Sequence, residues 1–326
     1  KTNLRTIQNS GGSQDVDWSP DGQFVALLAN DNEVRIYYAS NGSLYDTMDA
    51  GSEEVRELEY SPDGAMIAVV GERDGNNGPG QVDIFDTDIN SATFGDVLQT
   101  LTPGNTAYYY SVDWSPDGSR LVVGGYEAIY ILDTDDWGEN RTISNAFSSL
   151  NSVQYSPDGN MISACSAWGG SDARARVYNA MTGAQEWTYT TSTSCNDAAW
   201  SPDSSQVAFT HTYYRSDGAS INIFFAGTGV KLDTLSAPRP GGCTSSGGGN
   251  NCGTIYGADW HPDGNYIISA HGRNDEGVYH WKVDPDIDGD GYLNPDDAFP
   301  EDGTQWNDTD GDNYGDNVAP ATEPDA

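Results

Sequence analysis

Short runs of alternating apolar and polar residues, bounded by turn residues, recur along the chain and predict β-strands. One set, Phe24 to Leu28, Met66 to Val70, Leu121 to Val123, Met161 to Cys165, Val207 to Thr210 and Tyr266 to Ser269, follows a repeated turn. A second run lies downstream of each: Val34 to Tyr38, Val82 to Phe85, Ala128 to Leu132, Arg176 to Tyr178, Ile221 to Phe225 and Val278 to Trp281. A weaker run then precedes the next repeat, as at Leu44 to Met48, Leu98 to Leu101, Glu186 to Tyr189 and Leu232 to Leu235.

The turn is an aromatic followed by Ser or His, Pro, Asp and Gly or Ser, and it occurs six times, at Trp18, Tyr60, Trp114, Tyr155, Trp200 and Trp260, with periods of about 41 to 60 residues. Ser opens a type I turn, Pro presets φ at the second position and Gly suits the fourth, so the motif joins two antiparallel strands. With the strand that carries the aromatic, each repeat has four strands and reads as one propeller blade. The sixth repeat has no fourth strand after Trp281, whereas Asn3 to Gln8 is a spare strand ahead of the first. Pairing the two closes a ring and removes an open edge. The expected fold is therefore all-β, a six-bladed β-propeller over residues 1–283 closed by the N-terminal strand, followed by a loop-rich segment at 284–326. Seven blades are disfavoured, because Pro238 to Thr254 is too rich in Gly and Ser to supply four strands.

Charge narrows the partners. The chain of 326 residues carries 50 Asp and Glu against 14 Lys and Arg, a formal net charge of −36. Such a polyanion is repelled by nucleic acid and by anionic lipid, so cations, proteins and neutral surfaces remain. The longest apolar runs fall far short of the roughly 18 residues that would span a bilayer, so no transmembrane segment is expected. The start at Lys1, without Met or an apolar leader, reads as a mature or trimmed form.

The Trp-Ser-Pro-Asp-Gly blades resemble the WD40-like repeats of the TolB-type and WD40 propeller superfamily over roughly residues 1 to 283. They depart from true WD40 repeats in lacking the Gly-His and Trp-Asp dipeptides. The resemblance implies a fold that hosts scaffolds, receptors and enzyme-associated domains alike, and leaves function to be argued from particular residues.

From Asp284 the composition changes: 43 residues hold 14 acidic side chains and no Lys or Arg. Asp286, Asp288, Asp290, Asn294 and Asp297 place oxygen donors at positions 1, 3, 5, 9 and 12 of a loop with Gly291 at 6 and the Tyr292 carbonyl at 7. That spacing wraps a Ca²⁺ ion in hard oxygens. A second copy runs through Asp308, Asp310, Asp312, Tyr314 and Asp316, weaker because Asn313 and Ala319 stand at positions 6 and 12. Together the two loops resemble thrombospondin type 3 calcium repeats, which implies an extracellular spacer ordered by Ca²⁺.

Four cysteines allow three pairings. Strand placement favours Cys165 with Cys195 and Cys243 with Cys252. Disulfides, Ca²⁺ and acidity point outside the cytoplasm, to a secreted or cell-surface protein. Asn41, Asn140 and Asn307 head glycosylation sequons. The long insertions are expected on the face opposite the Ser-Pro-Asp-Gly turns, where Arg73, Tyr109, Trp168, His211, Tyr213, Arg215, His271 and Arg273, with Tyr108 and Tyr214 nearby, form a candidate ligand face for protein or glycan.

No linear catalytic motif is present: the four His show no metal-binding spacing, and neither a nucleophile elbow nor a P-loop occurs. The expected function is a noncatalytic extracellular interaction module whose partners are proteins, copies of itself included, or glycans, with self-association into a layer or filament as its specific form. The alternatives are a secreted hydrolase or lyase using His211, His271 and Asp275, and the accessory propeller of a larger enzyme.

Overall fold

The structure is a computed structural model that describes residues 12–51, 54–72, 79–144, 150–166, 174–190, 194–212, 219–236, 254–272 and 277–283. The proposed closing strand at Asn3 to Gln8 and the whole segment from Asp284 onward lie outside the described residues.

Six antiparallel sheets make up the described chain, each a meander of the propeller-blade type. The first holds β1 (Ser13–Trp18), β2 (Phe24–Ala29), β3 (Glu33–Tyr38) and β4 (Leu44–Asp49). The second holds β5 (Glu54–Tyr60), β6 (Met66–Glu72), β7 (Gln81–Asp86) and β8 (Val97–Leu101), and the third β9 (Tyr109–Trp114), β10 (Arg120–Gly125), β11 (Ala128–Asp133) and β12 (Glu139–Ser144). The fourth is β13 (Leu150–Tyr155), β14 (Met161–Ser166), β15 (Arg174–Asn179) and β16 (Gln185–Thr190), the fifth β17 (Cys195–Trp200), β18 (Gln206–His211), β19 (Ser220–Phe225) and β20 (Lys231–Ser236). The sixth has three strands, β21 (Thr254–Trp260), β22 (Tyr266–Gly272) and β23 (Gly277–Lys282). All-β architecture, six blades and the short sixth sheet follow the sequence expectation.

Two compact units comprise the chain, Lys1–Ala173 with Tyr178–Gln185, and Arg174–Val177 with Glu186–Ala326. In the first, apolar side chains of successive sheets form continuous cores. Val34, Ile36 and Met48 of the first sheet bury against Val55, Leu58 and Ile67 of the second, and Val70, Val82 and Ile84 of the second against Val112, Leu121 and Val123 of the third. In the second unit, Ile221, Ile223 and Ala208 pack with Ile255, Trp260 and Ile267. Middle strands such as β6 are buried almost throughout and read as continuous apolar runs, whereas outer strands such as β8 and β16 are largely exposed.

The motif aromatic serves as a wedge between sheets. Trp114 is 3% exposed and donates from Nε1 to the Glu59 carbonyl at 3.1 Å, and Trp260 donates likewise to the Ala199 carbonyl at 3.1 Å. Trp18 ends the first strand of the first sheet and is 59% exposed.

Each motif turn is built the same way. The Ser19 hydroxyl donates to Asp21 Oδ1 at 2.6 Å and accepts from Phe24 N at 2.9 Å, while Gly22 N closes the turn on the Ser19 carbonyl at 2.8 Å. Ser61, Ser115, Ser156 and Ser201 repeat the contact with Asp63, Asp117, Asp158 and Asp203, and the His261 ring faces Asp263 at 2.8 Å in the sixth. The fourth turn position is left-handed in every copy, with Gly118 at φ 69° and Ser204 at φ 63°. A Cβ at Gly118 meets no atom closer than 3.9 Å, so only backbone strain opposes a side chain there. Gly118→Ala is expected to lower stability by about 1 kcal/mol, read by thermal unfolding. An unchanged melting temperature would contradict the turn assignment.

Candidate functional site

Most of the anticipated ligand face lies outside the described residues: Arg73, Trp168, Tyr213, Tyr214, Arg215, Arg273 and Asp275, together with the sequon at Asn307 and every calcium-loop residue named above. Of the rest, Tyr108 is 38% exposed. Tyr109 corrects the expectation, for it is fully buried, packs edge-on against Tyr130 and donates its hydroxyl to the Pro103 carbonyl. A short 3₁₀ turn at Pro103–Asn105 closes over it, so this aromatic is core beneath a loop.

The two candidate histidines lie within strands, and their proposed partner Asp275 is outside the described residues. His211 ends β18, is 2% exposed, and burial pushes its pKa down to about 4, so the ring is neutral at physiological pH. His271 of β22 is also buried, its Nε2 2.8 Å from Ser269 Oγ and its ring 4.3 Å from that of Tyr279. The Trp281 indole donates to the same Ser269 hydroxyl at 2.8 Å. Cys165, at the end of β14, and Cys195, at the start of β17, are both fully buried and disulfide-bonded, while Cys243 and Cys252 lie outside the described residues. Asn41 and Asn140 are exposed, as sequon residues must be.

What the sequence reading missed is a ladder of carboxylates on the first strand of four of the blades. The first strand of a blade is an edge strand, and its outer backbone N–H groups have no sheet partner. Side chains of the preceding blade supply the acceptors. In the first unit Asp15 Oδ2 accepts from Leu58 N at 3.0 Å, Asp17 Oδ2 from Tyr60 N at 2.9 Å, Glu57 Oε2 from Val112 N at 2.6 Å and Asp113 Oδ2 from Tyr155 N at 2.6 Å. In the second, Asp197 Oδ2 accepts from Ala258 N at 3.2 Å. The visible signal was an acid immediately before the aromatic, Asp17, Glu59, Asp113 and Asp259, in four of the six copies.

This ladder has an electrostatic consequence. Burial raises Asp15 to about 6 and Asp113 to about 7, while hydrogen bonds from backbone N–H groups oppose the shift. Glu59 is raised well above the usual carboxylate range, first by burial and then by the charges of Asp17, Asp113, Glu57 and Asp15. The motif aspartates Asp21 and Asp117 go the other way, lowered chiefly by their serine hydroxyls. Repeated in blade after blade, both sets act in folding. Among the described residues no cluster of three or more His, Cys, Asp or Glu is arranged to hold a metal ion.

Meander sheets, wedge aromatics and Ser-Pro-Asp-Gly turns define a WD40-repeat β-propeller, and the comparisons with known proteins agree. The model for the anaphase-promoting complex subunit 4 WD40 domain matches residues 16–88, and that for the WD domain, G-beta repeat, matches 95–129, 138–179 and 241–282. The WD repeat-containing protein AAC3 of Dictyostelium discoideum is 26% identical over 156 residues, 48% of this chain and 31% of that protein. Cell division cycle 20.1, cofactor of APC complex, of Arabidopsis thaliana is 22% identical over 285 residues, 85% of this chain and 55% of that one. A chain in a crystal structure of the mitotic checkpoint complex superposes with a TM-score of 0.65 at 22% identity, covering 82% of this chain and 73% of that one, which shows the fold. The chain thus spans between about a third and a little over half of these curated relatives.

Proposed function

We infer that this chain is a noncatalytic scaffold that binds other proteins through its blade surfaces. One observation carries the reading: the buried titratable side chains of the repeats are committed to the fold, the ladder carboxylates to backbone N–H groups of the next blade and His211 to the interior. What remains on the outside is repeated, loop-bearing surface of the kind that serves contact. The likeness to a chain within a mitotic checkpoint complex, itself an assembly, supports a contact role.

In its specific form the scaffold is extracellular. The disulfide-bonded Cys165 and Cys195 suit an oxidising compartment, and the two acidic loops from Asp286 to Asp297 and Asp308 to Asp316 bind Ca²⁺, stiffening the segment into a linker to a neighbouring protein or a second copy. Light scattering coupled to size exclusion, in millimolar Ca²⁺ and after chelation, tests the assembly, and reconstitution with an affinity-captured partner tests the scaffold. Growth beyond the 35.0 kDa monomer only with Ca²⁺, or a saturable binary complex, is the expected result. Turnover of a hydrolase or lyase substrate that is lost in His211→Ala would overturn the noncatalytic reading.

A further inference from the structure

The connection between the third and fourth strands of a blade is five residues long in four of the blades, at 39–43, 134–138, 180–184 and 226–230. In the second blade it runs over 87–96, ten residues. In every case its first residues hydrogen-bond back to the motif turn, as Ala39 N does to the Gln23 carbonyl and Thr87 N to that of Ala65, so the insertion stands on the Ser-Pro-Asp-Gly face. This corrects the expectation that all long insertions lie on the opposite face.

The extra residues are built as a wall. Asp86 Oδ2 accepts from the Ser91 hydroxyl at 2.5 Å and the Thr93 hydroxyl at 2.6 Å, Asp86 Oδ1 accepts from Asp88 N at 3.0 Å, and Gly95 N donates to the Asp86 carbonyl at 2.8 Å. Between this wall and the motif turns of the first two blades lies a cleft of about 320 Å³. Its apolar lining includes Phe24, Tyr60 and Phe94, with Phe24 and Phe94 each packed 5.2 Å from the Tyr45 ring. Its polar lining includes Asp21, Asp63 and Asp88.

Both oxygens of Asp21 are engaged, Oδ1 by Ser19 and Gln23 N and Oδ2 by Gln23 Nε2, whereas Asp63 and Asp88 are only half used. Asp63 Oδ1 accepts from Ser61 and Ala65 N, and Asp88 Oδ1 from Asn90 N and Nδ2, while Oδ2 of each has no hydrogen-bond or ion-pair partner among the described residues. The Ser61 hydroxyl holds Asp63 below the usual carboxylate range, so it is ionised at neutral pH. No Lys or Arg lines the cleft. The described residues form no metal-holding group there, and the aromatic wall beside the two carboxylates favours an organic cation as the match.

We propose that this cleft receives a lysine or arginine side chain of a protein partner, its methylene stem on the aromatic wall and its charged head at Asp63 and Asp88. The proposal rests on the scaffold reading and names the chemistry of one of its contacts. An aromatic surface beside fixed anions matches an amphipathic cation, which buries its stem while its head stays paired and wet. A connection lengthened in one blade, anchored internally by its own Asp86, makes the receptor specific to that blade.

The test uses the full chain and a capped five-residue peptide bearing one arginine, with its citrulline counterpart as the uncharged isostere, followed by ligand-observed NMR at 0.15 M salt, which screens the distant charges of the chain. Asp63→Asn with Asp88→Asn keeps the turn acceptors and removes the charge. Phe94→Ala removes part of the wall. Asp135→Asn with Asp136→Asn, on an exposed connection of the third blade, removes equal charge elsewhere. Saturable binding of the arginine peptide is expected, weakened about tenfold in the citrulline peptide and in the Asp63/Asp88 variant, weakened in Phe94→Ala, and within about twofold of the parent in the Asp135/Asp136 variant. Equal weakening in both double variants, or no saturable binding up to about 10 mM peptide, overturns the proposal. The reconstituted partner complex tests the scaffold reading independently, so failure of the peptide to bind is distinguishable from failure of that reading.

Discussion

Trp114→Ala is expected to destabilise the protein by about 3–5 kcal/mol, and Trp18→Ala, the same motif position two blades earlier, by less than about 1 kcal/mol. The two residues are indistinguishable in the repeat pattern. Trp114, however, is 3% exposed, meets Trp137 edge-on at 6.1 Å and donates its indole N–H to the Glu59 carbonyl. Truncation there leaves both a cavity and an unpaired carbonyl. Trp18 is 59% exposed, so truncation there removes little buried area. Equilibrium unfolding in urea reads both. Equal losses at the two positions would show that Trp18 is buried in solution.

A second large effect concerns Asp113 and is read as a function of pH. Its carboxyl rises from 3.8 to about 7 because the neighbouring strands enclose it, with Asp17 adding a like charge. Between about pH 4 and pH 7 the folded state therefore binds more protons than the unfolded one, and stability falls as pH rises through that window. Asp113→Asn keeps an oxygen to accept from Tyr155 N and has no charge to bury. The variant is expected to gain on the parent across the window and to exceed it, above pH 7, by on the order of 2–4 kcal/mol. Asp15 and Glu59 are raised in the same direction, so the parent retains part of its slope in the single variant. Chemical denaturation at pH 4.5 and pH 8 suffices as a check. A difference between variant and parent that stays constant over that range would show Asp113 to be ionised throughout.

Blade boundaries were legible because turn chemistry is local. Ser19, Pro20, Asp21 and Gly22 make their contacts within a few residues, so the same four letters gave the same turn in every copy. Middle strands were legible because burial on both faces leaves an apolar run, as at Met66–Glu72. The outer strand Glu139–Ser144 was not named, since its one buried residue, Ile143, gives almost no periodic signal. Tyr109 went wrong for a related reason: an aromatic in a Gly- and Tyr-rich stretch looks the same whether it caps a loop or fills the space beneath it.

The carboxylate ladder and the cleft beside Phe94 show the same limit from the functional side. Asp17 and Asp113 were visible as letters, but their partners lie 43 and 42 residues away on the next blade. Likewise Asp63 and Asp88 stand 25 residues apart and become one anionic rim only when the lengthened connection folds back on the motif turn.

By itself the sequence determined the repeat, the turn, the class of fold and the surplus of negative charge, because each follows from residue types over spans of a few residues or from their sum. Only the tertiary structure decided which of the repeated aromatics are wedges and which carboxylates cap backbone edges and are raised by burial. It alone also decided which carboxylates face solvent with an oxygen to spare. Burial and proximity across blades set those roles, and neither is encoded in the spacing of letters along the chain.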